Sequence, residues 1–312
     1  MNATVTNPIK QKKPKSFNPD AQRDNILISW IIIGRNWSAT SNLLIEALEQ
    51  QNINTEIVEL IIIDDGSNDN SIELLHSLKC ENKQIIELGK QTGRCYARNQ
   101  GIKLAKGQFC LFTNGNTIPL PNFLNKYITI LSQFDIDGGA GIINYLSDDS
   151  QFGHYLNNHN RGLKKFQEMQ ILPVEYVLFG NCIIKTELLK KVSGFNEKLT
   201  GYGGEELELL SRMEHVKDLT LVKIDTAVIR PNHPGLEEHC NRLREFGQTN
   251  FKQLPNQIQQ KIIPNWILKF YLFIPVYLLL LDLKILNVVC RGKSMFVIKA
   301  ILGLSVLRGY KD

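Results

Sequence analysis

Several short stretches of this chain set polar side chains at spacings that could do chemistry. GYGGEELEL, residues 201–209, places Glu205 and Glu206 directly after a loop with three glycines. Acids in a first helical turn complement the helix dipole. A flexible loop that lets substrate approach the backbone and then presents a carboxylate also suits a general base for a hydroxyl nucleophile. IIIDDGSND, residues 61–69, ends an apolar run in Asp64 and Asp65. Capping the next helix needs one acid, which leaves the other to point into a crevice and accept hydrogen bonds from a base or ribose. GRCYARNQG, residues 93–101, puts Arg94 and Arg98 four apart. That is either a solvated basic helix face or a pair of cations stabilising a diphosphate leaving group. TNGNT, residues 113–117, holds Asn114 and Asn116 at a strand end, where two carboxylates would hold a divalent metal. His233, in RPNHP, ends another strand-like run. His154 and His159, beside Asp148 and Asp149, do not match a metal-ligand spacing.

The elements that must position these residues alternate. ILISWIIIG (26–34), VELIIID (58–64), QIIEL (84–88) and QFCLFT (108–113) are apolar, β-branched runs of the kind covered on both faces. Helical patterns over 38–51, 71–79 and 97–106 separate them. Alternating strands and helices imply an α/β fold with a parallel, doubly covered sheet. In such sheets ligands bind at the carboxyl ends of strands, where IDDGS and TNGNT both fall. The second half is less regular, with strands expected over 138–146, near 175–185 and over 219–233, and an acidic helix after Gly204.

Composition sets wider bounds. The 312 residues are 43% hydrophobic and 21% charged, ordinary for a globular chain able to bury a full core. The net charge of +5 is unevenly placed: residues 261–312 hold eight Lys/Arg against two acids, which leaves the rest close to neutral. A basic tail on a neutral core argues for an anionic surface as partner and against nucleic acid. The six cysteines, Cys80, Cys95, Cys110, Cys182, Cys240 and Cys290, form no C-x-x-C pair and read as free thiols in a reducing compartment. Residues 1–25 contain lysines and prolines without an apolar signal core, and read as a disordered basic arm of a cytoplasmic protein.

In order, ISWIIIGRN, IIIDDGSND, GRCYARNQGIKLAKGQFCLFTNGNTIPLPNFL and FGNCIIKTELLKKVSGFNEKLTGYGGEELEL resemble the blocks of the inverting family 2 glycosyltransferases of GT-A fold, galactosyltransferase-like branch, over roughly residues 26–235. The resemblance implies a Rossmann-like GT-A domain with a mixed, mainly parallel sheet, and transfer of a sugar from a nucleotide-diphosphate donor, expected to be UDP-linked, to a hydroxyl of a glycan or lipid-linked acceptor. It implies that Asp65 contacts the nucleobase, with Asp64 beside it. Glu206 would deprotonate the acceptor, Glu205 would orient it, and His233 would lie near metal and diphosphate. The departure is at Asn114 and Asn116, where the family carries the D-x-D aspartates that bind Mn²⁺ or Mg²⁺. A neutral amide is a poorer ligand for a hard cation. Three arrangements remain open: a weakly held metal, a metal-free site in which Arg94, Arg98 and Lys90 neutralise the leaving group, or an inactive member that binds sugar nucleotide within a glycan-assembly complex.

The tail, residues 236–312, is expected to be helical and to associate with a membrane. FYLFIPVYLLLL (270–281) and MFVIKAILGLSVL (295–307) are apolar but short: a span needs about 20 residues. Both read as segments lying in the interface of the cytoplasmic leaflet, held there by basic residues. The other reading is a helical subdomain packed on the catalytic core.

Overall fold

The computed structural model describes residues 26–264, 267 and 295–312. The arm over 1–25 and the apolar stretch 270–281 lie outside the described residues. At the centre is an eight-stranded sheet of order β3-β2-β1-β4-β7-β6-β8-β5. The strands are β1 (Ile28–Gly34), β2 (Val58–Asp64), β3 (Lys83–Glu87), β4 (Phe109–Asn114), β5 (Ile118–Pro119), β6 (Gly138–Tyr145), β7 (Asn181–Lys185) and β8 (Leu221–Arg230). Strands β3, β2, β1 and β4 are parallel, joined by the helices α1 (Ser38–Glu49), α2 (Ser71–His76) and α3 (Arg94–Leu104).

The continuous apolar strands work as their composition requires. In β1, Trp30 and Ile32 face one core with Leu44 and Leu48 of α1, while Ile31 and Ile33 face the other with Ala97 and Ile102 of α3. Every residue of β2 is buried, because helices cover both faces.

The sheet is mixed rather than wholly parallel. β7 runs antiparallel to β4 and to β6, and β6 pairs parallel with β8. Two reversals leave β6 and β8 pointing the same way as β4, so the carboxyl ends of β1, β2, β4, β6 and β8 open on one edge. In register there, Gly34 stands beside Asp64, Ile33 beside Asn114, and Tyr145 beside Arg230. The two-residue β5 pairs with β8 and ties that edge down before α4 (Phe123–Gln133).

Among the described residues the remaining α-helices are α5 (Ser150–Leu156), α6 (Thr186–Lys191), α7 (Glu205–Glu214), α8 (Leu236–Gln248), α9 (Asn250–Gln253), α10 (Asn256–Ile262) and α11 (Met295–Lys311). Helix α11 carries the second apolar segment of the tail, and it packs on the protein. Ile301, Val306 and Leu307 are buried, Tyr310 meets Phe251 edge-on at 5.5 Å, and Asp312 pairs with Arg244 of α8 at 2.5 Å. One face of this segment therefore belongs to the core, as the subdomain reading requires. Among the described residues no helix is long and apolar enough to cross a membrane. The five described cysteines are free; Cys95, Cys110 and Cys182 are buried.

Candidate active site

The carboxyl edge of the sheet forms one wall of a cleft of about 680 Å³. Its lining includes Asp65, Arg94, Asn114, Asn116 and Arg230, with Trp37 and the loop Thr200, Gly201 and Tyr202. Asp64 does not line it. It is 2% exposed and takes the Ser67 amide at 2.8 Å and the Ser67 hydroxyl in a short bond, so it closes its own loop instead of facing a donor. Asp65 faces the cleft, but its carboxylate also accepts from Thr92 N at 2.6 Å, Thr92 Oγ1 at 2.7 Å and Gly93 N at 3.0 Å. Asp65 thus ties the β3–α3 loop to the end of β2, and keeps only part of its accepting capacity for a ligand.

The TNGNT turn is shaped by an aromatic ring. A Cβ on Gly115 would fall 1.2 Å from the Trp37 ring, so only glycine fits between the two asparagines. Thr40 Oγ1 donates to Gly115 O at 2.9 Å and Thr117 Oγ1 to Asn114 O at 2.7 Å. These bonds hold the backbone, and among the described residues no protein hydrogen bond engages either asparagine side-chain amide.

The two glutamates begin α7 after Gly203 and Gly204, which sit at φ of 79° and 84°, a region that favours residues without a Cβ. Neither glutamate lines the cleft directly. Arg94, which does, reaches Glu205 at 3.1 Å; Arg98 reaches Glu205 at 3.4 Å and Glu206 at 3.1 Å. The expectation that Arg98 meets a diphosphate is corrected by its burial. It is 2% exposed, lies over the rings of Phe195 and Phe179 at 5.1 and 5.7 Å, and has its charge taken up by the two acids. Glu205 is almost wholly enclosed, whereas a fifth of the Glu206 side chain is accessible. Burial pushes the Glu206 pKa up; Arg98 opposes that shift and Glu205 adds to it. Lys90 is exposed and outside the cleft.

His233 is placed differently from its expected position near a metal. It is 5% exposed, packed behind the cleft against Tyr145 at 4.8 Å, His239 at 5.4 Å and Phe152 at 5.9 Å, with both ring nitrogens unpartnered. Burial first, with Arg230, His239, Arg242 and Arg161 adding to it, lowers its pKa to about 3. Among the described residues no three His, Cys, Asp or Glu side chains gather into a cluster able to hold a metal.

Three contributors escaped the sequence reading. Arg230 and Arg242 enter the cleft from the end of β8 and from α8, segments whose place at the site depends on long-range pairing. Asn250, fully buried in α9, donates to Gly201 O at 2.9 Å and Gly203 O at 2.8 Å and accepts from Gly201 N at 3.0 Å. It pins the glycine loop from a segment that reads in sequence as part of the tail.

Family models place these residues. Residues 29–193, more than half of the chain, match the model for glycosyl transferase family 2, and residues 167–233 match one described as the N-terminal domain of galactosyltransferase. The chain belongs to glycosyl transferase family 2. Among curated relatives, the glycosyltransferase GlyG of Streptococcus pneumoniae is 26% identical over 137 residues, 43% of this chain and 46% of that protein. The poly-beta-1,6-N-acetyl-D-glucosamine synthase of Staphylococcus aureus is 29% identical over 132 residues, 42% of this chain and 28% of that protein. The chain thus matches less than half the length of either relative. Two solved structures share the fold. S. aureus TarS 1–349 with UDP-GlcNAc has a TM-score of 0.56 at 15% identity, covering 92% of this chain and 90% of that one. The mannosyltransferase PcManGT of Pyrobaculum calidifontis with GDP-Man and Mn²⁺ has a TM-score of 0.58 at 12% identity, covering 92% and 87%. The mixed, mainly parallel sheet is therefore that of the GT-A glycosyltransferases.

Proposed function

We propose that this protein transfers a sugar from a nucleoside-diphosphate donor, UDP-linked, to a hydroxyl of a glycan or lipid-linked acceptor, with inversion, in surface polysaccharide or glycoconjugate synthesis. The observation that carries the reading is the carboxylate of Glu206, partly accessible, held by Arg98 and linked through Glu205 and Arg94 to the cleft that Asp65 lines. A base for a sugar hydroxyl needs a fixed direction and a pKa lifted toward the working pH. The ion pair supplies the first and burial the second. The chemistry is a single in-line displacement: the acceptor oxygen bonds to the anomeric carbon, its proton passes to Glu206, and the nucleoside diphosphate departs from the opposite face. Family membership, the activity named for the S. aureus synthase and the UDP-GlcNAc bound by TarS support the donor class and the polysaccharide context.

The test is transfer from a panel of UDP-sugars to oligosaccharide and lipid-linked acceptors. Glu206→Gln should lower kcat by about 10²- to 10⁴-fold, with UDP binding changed less than about threefold. A variant keeping a third or more of wild-type kcat would remove Glu206 from the role of base.

The same reading places the protein on the cytoplasmic face of a membrane, held peripherally by its basic, apolar C-terminal segment. Because α11 packs on α8, that attachment falls mainly to residues between 265 and 294. Vesicle flotation of the intact protein checks it: partial release by high salt is expected, since apolar insertion is not screened, and complete release would exclude insertion.

A further inference from the structure

The cleft carries an excess of positive charge: Arg35, Arg94, Arg230 and Arg242 line it against only Asp65 and Glu245. Three of the arginines have partners. Arg35 Nε donates to Gly66 O at 3.2 Å, Arg94 pairs with Glu205, and Arg242 with Glu238 at 2.6 Å. Arg230 differs. Among the described residues its buried Nε has no partner and no ion pair reaches it; burial lowers its pKa, Tyr145 and Tyr202 oppose that shift, and Arg242 and Arg94 press with it. A desolvated guanidinium without a counter-charge is costly, and its presence in a donor cleft points to an anion that arrives with the ligand.

A divalent cation does not fit the same place. The side chains at the metal-binding positions are the neutral amides of Asn114 and Asn116, His233 is packed behind the cleft wall, and Arg230 and Arg242 lie beside it. A dication would enter a region already positive and find no anionic protein oxygen at these two positions. The asparagines suit the opposite arrangement, because an amide can donate to a phosphate oxygen and a carboxylate cannot.

We propose that the leaving nucleoside diphosphate is neutralised by Arg230 and Arg242, with the amides of Asn114 and Asn116 as donors, in place of a divalent cation. The inference rests on the donor reading above. In transfer, the bond from the anomeric carbon to the β-phosphate oxygen breaks and both electrons go to that oxygen. The diphosphate becomes more negative by the charge whose proton Glu206 receives. Fixed guanidinium groups meet that charge without reorganisation, and their planar fork matches two phosphate oxygens. The N-x-N turn and the unpaired Arg230 are then two parts of one device: losing the acids removes repulsion that a metal would otherwise mask.

Calorimetric titration of the full-length protein with UDP and UMP, each in EDTA and in Mn²⁺, with GDP as a second probe, tests this. UDP is expected to bind in EDTA within about threefold of its affinity in Mn²⁺. Arg230→Gln should weaken UDP by about 10- to 100-fold, the range for a charged hydrogen bond, and UMP by less than about threefold. Arg230→Lys should recover part of the loss. Asn114→Asp with Asn116→Asp should weaken UDP in EDTA. If Arg230→Gln shifts the melting temperature, the half-exposed Arg242→Gln carries the same UDP-against-UMP comparison. UDP binding that needs Mn²⁺ and vanishes in EDTA overturns the inference and leaves the donor reading standing. So does a folded Arg230→Gln protein with unchanged UDP affinity. Absence of UDP and GDP binding in both media overturns the donor reading itself, and this inference with it.

Discussion

Replacing Arg98 by Met tests the network that holds the candidate base. The side chain is 2% exposed, bonds Glu205 and Glu206 at 3.4 and 3.1 Å, and lies over two phenylalanine rings. Methionine fills similar apolar volume, so the loss is mainly electrostatic. Removing one partner of a buried pair costs about 3–5 kcal/mol. Arg94 still compensates Glu205, which places the expected loss near 3 kcal/mol, and lost cation–π contact adds about 1 kcal/mol. Without Arg98, burial and Glu205 act on Glu206 with less opposition, so its already raised pKa rises further. The folded state then holds the proton more tightly than the unfolded chain. The destabilisation should therefore be largest above the raised folded pKa and shrink as pH falls through it toward the unfolded value, as Glu206 becomes neutral. Denaturant unfolding of wild type, Arg98→Met, Glu206→Gln and the double variant at pH 8 and pH 5 measures both effects. The double variant should recover a clear part of the loss at pH 8, and the wild-type acid limb of kcat/KM should move to higher pH in Arg98→Met. A loss under about 1 kcal/mol that is equal at both pH values and uncoupled to Glu206→Gln would refute the network.

Other outcomes follow from the same contacts. Gly115→Ala sets a Cβ into the Trp37 ring, and overpacking of this kind costs about 1–3 kcal/mol; the melt should fall and UDP affinity with it, while an unchanged melt would mean the ring lies elsewhere. Asn250→Ala removes three bonds to the glycine loop and should raise the acceptor KM more than the donor Kd, with stability down about 1–3 kcal/mol. For His233 the folded pKa is depressed to about 3 from 6.5 by burial and then by Arg230, His239, Arg242 and Arg161, so the unfolded chain binds the proton first. Stability should fall as pH drops below about 6.5, by up to about 2 kcal/mol at pH 5, and His233→Phe, among Tyr145 and Phe152, should flatten that slope in denaturant unfolding.

The four parallel strands and their switch to helices were legible from local pattern alone. A β-branched run covered on both faces needs no knowledge of its neighbours, and IIIDDGSND and TNGNT announce strand ends by where the apolar residues stop. The same locality limited the site reading. Glu205, Glu206, Arg94 and Arg98 stand out as charges near helix starts, but charge on a string carries no direction. Only packing shows that Arg98 turns inward over Phe179 and Phe195 to hold the glutamates, while Arg94 keeps one side in the cleft. Asp64 and Asp65 are adjacent and chemically alike, and their different fates depend on which hydrogen-bond donors the neighbouring loops bring. The larger gap lies in β7, whose antiparallel insertion turns β6 and β8 to deliver Tyr145 and Arg230 to the same edge as Asn114. That placement brings Arg230 to Asn114, more than a hundred positions earlier in the chain, and no periodicity within a short window encodes it. Asn250 and Arg242 reach the site for the same reason: helices that look like a tail in sequence are folded back against the glycine loop and the cleft. Residue chemistry thus determined the kind of site, through local backbone preference and solvent exclusion, whereas long-range pairing decided which charges share it.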